Sequence, residues 1–321
     1  MNALLKLLPI KYPIIQAGMV YVSGGKLAAA SAEAGILGVV GAGSMSPDLL
    51  KHHLEKAKSL TRHPERLAVN IPQLYEKTSE QIEVSLRAGI KIIITSAGSP
   101  KAHTTELKKA GCVVMHVTST PELAKKCEDA GCDAVIAEGF EAGGHNGRDE
   151  ITTLVLIPQV VKAVKIPVIA AGGIGDGKGM AAAFSLGASG VQMGTRFLAT
   201  QESSAHENFK KLVIESRSDS TMLMMKKVVP VRLLKNAFYE EVKALEEKNA
   251  SKEELVALLG KGRARLGMLE GNLSEGELEA GQIAAIVSDL PTVKELVPRI
   301  LREYDEAVKN LVRVSEWEKK A

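Results

Sequence analysis

Eight short runs dominated by small and β-branched apolar residues recur before residue 200, each separated from the next by a stretch of helical periodicity. They are YPIIQ (12–16), GVVG (38–41), LAVNI (67–71), KIIITS (91–96), CVVMHV (112–117), DAVIAEG (133–139), PVIAAG (167–172) and GVQMGTRF (190–197). The runs are apolar almost throughout instead of alternating with polar residues, which suits strands buried on both faces of a parallel sheet. The intervening segments, among them PDLLKHHLEKAKSL and TPELAKKCEDAG, carry helical spacing, and several end on a glycine placed as a C-cap. Strands and helices in strict alternation make βα units. Eight such units predict a closed (β/α)8 TIM barrel in preference to an open doubly wound sheet. The stretch QAGMVYVSGG after the first strand also lacks the G-x-G-x-x-G spacing of a dinucleotide-binding turn.

Past residue 200 the strand signals stop and the chain turns charged, as in YEEVKALEEKNASKEELVALLGKGRARLGMLEG. The expected organisation is a barrel over 1–199, a small inserted or appended helical subdomain over 200–280 serving as lid or substrate subdomain, and C-terminal helices over 281–321 packing back on the barrel. A closing helix is expected near 279–289 and a charged one from about 292.

Composition excludes several classes. Of the 321 residues 45% are hydrophobic and 25% charged, the profile of a globular protein with a filled core. The net charge is only +3, with both signs mixed along the chain, and aromatics are 3%, with Trp317 the single tryptophan. Neither a polyanion-binding stripe nor a stacking platform is present, so no nucleic-acid partner is expected. No apolar run nears the roughly 20 residues of a membrane span, and the N-terminus lacks a cleavage site, so no membrane association and a cytoplasmic location are expected. Cys112, Cys127 and Cys132 are sparse, odd in number and off metal-finger spacing; buried thiols and no metal site are expected.

In a barrel of this kind the reactive groups lie at the C-terminal strand ends. Those ends supply Ala17, Gly18 and Met19; Asn70; Ser96, Ala97 and Gly98; His116; Glu138 with Gly143, Gly144 and His145; Gly172 and Gly173; and Met193, Gly194 and Thr195. The turns AAGGIGDG and MGTRF fall where barrels hold phosphate, on open backbone N–H groups and a helix N-terminus. Glycines elsewhere in the ring allow a flat ligand to approach the backbone. A phosphate plus a flat ring suggests flavin mononucleotide, with nucleotide sugars also compatible. Pyridoxal phosphate would need a strand-end lysine, which these positions do not supply.

The segments KYPIIQAGM, SAEAGILGVVGAGSM, AVNIP, TSAGSPK, DAVIAEGFEAGGHNG, IPVIAAGGIGDGKGMAAAFSLGASGVQMGTRF and GELEAGQIAAI follow one another in an order that resembles the nitronate monooxygenase (2-nitropropane dioxygenase) family, together with the flavin-dependent enoyl-acyl-carrier-protein reductases that share its fold. The resemblance covers nearly the whole chain. It implies FMN at the barrel mouth, with Ala17 to Met19 near the isoalloxazine, Asn70 in contact with the cofactor, and Gly172, Gly173, Gly194 and Thr195 on its phosphate. It implies that His145 faces the flavin at the substrate site, the two glycines before it letting the loop fold closely over the cofactor.

A histidine suits proton exchange near neutrality. His145 could take the α-proton of a nitroalkane or hold its nitronate, or protonate the α-carbon of an enoyl thioester after hydride reaches the β-carbon. Nitronate oxidation with O2 is the first expectation, because Asn146 and a charged continuation follow His145. Enoyl-acyl-carrier-protein reduction with NAD(P)H is the alternative, and a barrel binding a phosphorylated metabolite without redox chemistry a second alternative. The partner is then a small-molecule substrate or an enoyl thioester on its carrier protein; a homodimer is left open. Glu138 reads equally as a flavin contact or a buried structural carboxylate. His52, His53, His63 and His103 read as surface residues, His116 as a satisfied core group and His206 as a secondary lining candidate. Residues 222–239, with their methionines and Lys226, Lys227, Arg232 and Lys235, read either as an amphipathic lid or as an acyl tunnel attracting an acidic carrier.

Overall fold

In the computed structural model, which describes residues 2–314, the eight predicted strands close into one parallel barrel; Trp317 lies outside the described residues. The barrel strands are β1 (Ile14–Gln16), β2 (Leu37–Gly41), β3 (Leu67–Pro72), β4 (Ile92–Ser96), β5 (Val113–Thr118), β6 (Ala134–Glu138), β8 (Val168–Ala171) and β9 (Gly190–Met193), while β7 (Gly144–His145) lies outside the barrel. Closure comes from β9 pairing back on β1, with Ile14 opposite Val191 and Gln16 opposite Met193. No helix among the described residues is long and apolar enough to cross a membrane.

Two apolar layers follow from the twofold alternation of side chains along each strand. Ile15, Val39, Ala68, Ile94, Ile136 and Ile169 fill the barrel interior, together with Leu4 and Leu8 of the N-terminal segment. A Cβ at Gly190 would meet Leu4 Cδ2 at 2.3 Å, so the N-terminal helix plugs the end of the barrel opposite the C-terminal strand ends. The alternate residues Ile14, Val40, Val69, Val114, Val135, Val191 and Met193 point outward into the layer shared with the surrounding helices.

Residues 200–280 differ from the expected all-helical subdomain. Helices Glu207–Ile214, Ala237–Glu247 and Lys252–Leu259 are present, but β10 (Thr221–Met224) and β11 (Val231–Leu234) form an antiparallel hairpin, and β7 pairs with β11 to make a three-stranded sheet. Each strand is four residues or fewer, too short to show a period, and β7 lies some 80 residues upstream of its partner, so no local pattern announces the pairing. Two of the three methionines of this segment are packing residues: Met224 and Met225 sit with Val231, Phe238, Val242 and Leu255 in one apolar cluster, whereas Met222 is exposed. Arg232 is buried there too, donating to Phe140 O at 3.2 and 3.0 Å with its guanidinium 4.6 Å from the Phe140 ring centroid. Lys227 is spent on Asn249 and Ala250, and Lys226 on Glu150. The cations that suggested a carrier-protein patch are therefore largely engaged within the chain.

The closing helix is a single 3₁₀ turn, Gln282–Ile286, and the terminal helix spans Val293–Val314. The terminal helix packs against helix Gly177–Ser185, where a Cβ at Gly177 would lie 2.1 Å from Tyr304 N. A Cβ at Gly175 would lie 1.6 Å from Ile283 Cδ1. Two of the four glycines in AAGGIGDG thus serve this packing, and only Gly172 and Gly173, at φ +85° and +67°, form the tight turn at the strand end.

Candidate active site

A cavity of about 860 Å³ opens at the C-terminal end of the barrel under the three-stranded sheet. It gathers much of the predicted ring from five different strand ends: Ala17, Gly18 and Met19 after β1, Asn70 in β3, Glu138 at the end of β6, Gly143, Gly144 and His145 beyond it, Gly172 and Gly173 after β8, and Gly194 and Thr195 after β9. Met193 is the exception and a correction. It is fully buried in the outer layer, and the residue of β9 that reaches the cavity is its neighbour Gln192, because a strand sends successive side chains to opposite faces. His206 is also absent from the lining; its Nδ1 accepts from Asn208 N at 3.1 Å and caps helix Glu207–Ile214. Among the histidines read as surface groups, His53 is half-buried and accepts from Gly25 N at 3.1 Å. All three cysteines are buried and unpaired.

Local hydrogen bonds hold the rim. The Ser23 hydroxyl accepts from Met19 N at 2.6 Å and donates to Met19 O at 3.0 Å, fixing the loop after β1. Thr195 Oγ1 accepts from Gly281 N at 2.9 Å, joining the turn after β9 to the segment that closes over it. Glu141 accepts from Thr153 N and Oγ1, anchoring the start of the 139–150 loop to helix Thr153–Ala163. His116 lines the cavity floor, its Nδ1 2.7 Å from Thr95 Oγ1, and burial pushes its pKa down to about 4, so it stays neutral. It is the satisfied core group expected of it, placed at a ligand wall.

The two glycines before His145 have a packing task of their own. A Cβ at Gly143 would lie 2.5 Å from Ala280 C and Gly281 N, and one at Gly144, which has φ +75°, would lie 2.5 Å from Glu279 Oε2. They make room for the crossing 279–281 strap. Beyond them, Asn146 N donates to Pro230 O at 2.9 Å, and Arg148 donates to Lys226 O and Val228 O at 3.1 and 3.0 Å, fastening the loop that carries His145 to the β10–β11 turn.

That strap supplies two cavity residues that the sequence reading did not single out. Leu278 is fully buried in an apolar cluster with Phe209, Val213 and Leu234, whereas Glu277 and Glu279 on either side of it both line the cavity. The signal was available in GELEAGQ as two carboxylates two residues apart in an otherwise small and apolar stretch, which is one face of an extended segment. Burial pushes Glu138 and Glu279 up to about 7. Glu277 also rises to about 7, through burial and the charge of Glu279, with His145 and Arg263 opposing. The side chains of Glu138, Glu277, Glu279 and His145 make no hydrogen bond to another described residue, so four polar groups face the cavity with their bonding capacity unspent.

A parallel barrel with a glycine-lined rim and one imidazole above it defines an enzyme whose chemistry is done at the strand ends. The chain belongs to the nitronate monooxygenase family, whose model matches residues 1–79 and 65–303, and it is an oxidoreductase of that flavin-dependent family. It is similar to FabK from Thermotoga maritima, 38% identical with a TM-score of 0.92 over 98% of this chain and 99% of that one. It is 33% identical to the (3aS,4S,5R,7aS)-5-hydroxy-7a-methyl-1-oxo-octahydro-1H-indene-4-carboxyl-CoA dehydrogenase of Rhodococcus jostii, over 94% of this chain and 95% of that protein. It is 34% identical to a probable nitronate monooxygenase of Staphylococcus aureus, over 76% of this chain and 81% of that protein.

Proposed function

We propose that this protein is an FMN-dependent reductase of enoyl thioesters, using NAD(P)H, and that nitronate oxidation is not its main activity. The order of the two expectations is reversed by one observation, the placement of Glu277 and Glu279 beside His145. A nitronate is an anion and calls for a cation at its binding site, where an imidazolium at His145 would be flanked by the two carboxyls Glu277 and Glu279 and the neighbouring arginines and lysine are committed. Arg148 and Arg232 are committed to backbone carbonyls, Arg263 donates to Leu258 O, Leu259 O and Glu275 O, and Lys226 pairs with Glu150. An ionised carboxylate about 4 Å from an anionic substrate costs roughly 1 to 4 kcal/mol between the dielectric of water and that of a protein surface. A neutral enoyl thioester is spared this repulsion. The mouth of the cavity agrees: Leu74, Leu123 and Val229, which are 80%, 40% and 40% exposed, rim it with apolar surface suited to an extended acyl or thioester arm. So does the near-complete match to FabK.

The fit of FMN to this chain rests on Gly194. Its φ is −99°, open to any residue, and a Cβ there would meet no protein atom nearer than Met19 Sδ at 3.5 Å. Neither backbone nor packing asks for glycine at that point, so the space is kept for a ligand. Gly172, Gly173, Gly194 and Thr195 would hold the phosphate, Glu138 the ribityl hydroxyls, and Ala17 to Met19 with Asn70 the ring system. FMN held there would supply the hydride-transfer chemistry between NAD(P)H and the β-carbon of the enoyl thioester. His145 holds the proton for the α-carbon, Gln192 and neutral His116 form the floor, and the 200–280 segment acts as the lid that excludes water.

The test is a pair of assays on FMN-loaded protein. NAD(P)H oxidation should depend on crotonyl or longer enoyl thioesters, with little oxygen uptake on an alkyl nitronate. Rapid oxygen uptake with nitronate and no thioester-dependent NAD(P)H oxidation would overturn the proposal.

A further inference from the structure

We infer that a side arm of the cavity, between the outward face of β5 and helix Pro121–Asp129, holds the tail of the acyl chain, and that Leu123 and Cys127 set the chain length accepted. The inference rests on the thioester-reductase reading for the identity of the ligand, whereas the arm itself stands on how this helix packs. Side chains alternate along β5, so His116 and Thr118 share the face that Val114 turns toward the surrounding helices, and both line the cavity. Leu123 and Cys127, one turn apart on helix Pro121–Asp129, line it from the other side. The cavity therefore does not end above the barrel; it continues down the outside of β5. Gly98 and Pro100, in the loop after β4, line it from the neighbouring strand.

The arm exists because this helix underfills its place in the outer layer. The buried residues of helix Pro47–Leu60 are Leu50, Leu54 and Ala57, and those of helix Thr153–Ala163 include Leu156, Ile157 and Val160. Helix Pro121–Asp129 buries only Ala124 and Cys127. Protein interiors are packed about as densely as organic crystals, and an unfilled volume forfeits dispersion contacts, so a gap that opens onto a ligand cavity is room kept for a ligand. Cys127 belongs to the outer apolar cluster and is buried there, yet it lines the cavity, which puts the bottom of the arm at its side chain.

The wall of the arm is apolar in effect, because its polar groups are spent within the protein. Thr118 Oγ1 donates to Thr120 O at 3.2 Å, Thr120 Oγ1 accepts from Leu123 N at 3.2 Å, and His116 Nδ1 is bonded to Thr95 Oγ1. Arg148, on the same side of the cavity, bonds Lys226 O and Val228 O. A charged or strongly polar group entering the arm would give up its water and find no partner in exchange, a cost that an alkyl tail does not meet. Each methylene moved from water into such a wall strengthens binding about fourfold. The reacting carbons stay beside His145, and the carbons further along the chain enter the arm.

The experiment measures, by titration calorimetry on the FMN-loaded protein, the Kd of a saturated acyl-CoA series from butyryl to decanoyl, alongside kcat/KM for the matching 2-enoyl-CoA series. In the wild type Kd should fall about fourfold for each added methylene until the tail meets Cys127, and then level off. Leu123→Trp, at a residue 40% exposed and so tolerant of a larger side chain, should move that break to shorter chains. It should also weaken decanoyl-CoA relative to butyryl-CoA by roughly tenfold or more, the size of an overpacked contact. Cys127→Ala, which removes bulk from the end of the arm, should move the break to longer chains. The break in kcat/KM should move with the break in Kd. Absent or length-independent binding in the wild type, or a break that neither variant moves, would overturn the inference. So would a loss of affinity in Leu123→Trp that is equal at every length, which would assign the arm to the pantetheine. Where Cys127→Ala does not fold, the wild-type series and Leu123→Trp decide. Calorimetry needs no turnover, so length-dependent binding by a protein inactive on every enoyl thioester would refute the reductase reading and leave the acyl arm standing.

Discussion

Replacing Gly194 by alanine separates what the fold requires from what a ligand requires. The residue sits at φ −99°, ψ −79°, and its added methyl would lie 3.5 Å from Met19 Sδ, 3.8 Å from Ala17 Cβ and 4.0 Å from Met19 Cγ, all ordinary contacts. The apoprotein should lose nothing, and restricting the unfolded chain should raise its stability by about 0.4–1 kcal/mol. The same methyl projects into the space assigned to the FMN phosphate. Crowding a well-packed contact by one methyl costs roughly 1–3 kcal/mol, and if the ligand bears that cost its Kd should rise by about 5- to 150-fold. Chemical denaturation of the apoprotein measures the first quantity, and titration by quenching of flavin fluorescence the second. An apoprotein destabilised by more than 1 kcal/mol would mean that the glycine serves the fold after all. Unchanged stability together with unchanged FMN affinity would place the cofactor somewhere other than the turn after β9.

His145→Ala should keep the yellow colour and lose roughly 100-fold or more in turnover, the size expected when a positioned acid is removed; turnover equal to wild type would return the residue to a purely structural role. Glu138 sits at about 7 in the fold against 4.5 for the ordinary group. The folded apoprotein therefore keeps a proton that the unfolded chain releases, a contribution complete below about 4.5 and lost as pH rises through 7. Glu277 and Glu279 act in the same direction, while His116, held neutral down to about 4, opposes them as pH falls below 6.5. Apo E138Q should consequently lose less stability than wild type between pH 5 and 8 in urea titrations, and parallel curves for the two proteins would refute the assignment of Glu138 as a buried, proton-holding carboxyl.

The barrel was legible in the chain because its determinants are local. Runs such as KIIITS and DAVIAEG, bounded by glycine and by amphipathic helices, carry the burial of a two-faced strand within five to seven residues. The strand ends follow at once, since a parallel barrel places the residue after each run at one rim, and that alone brings Ala17, Asn70, Glu138, Gly172 and Thr195 around a common cavity. Met193 is displaced from the cavity by a single step of the twofold alternation, and the polar Gln192 within GVQM is the residue that marks the inward-facing position. What tertiary structure alone decided was everything built from distant pieces. The hairpin of β10 and β11 exists because β7, far upstream, completes its edge. The glycines before His145 are explained by a strap more than a hundred residues later. Glu277 and Glu279 become part of the site only when that strap crosses the barrel mouth and lays them along the same edge of β11 as the imidazole. Periodicity reports which way a side chain points from its own element, whereas the partner it meets there depends on long-range pairing that no local pattern encodes.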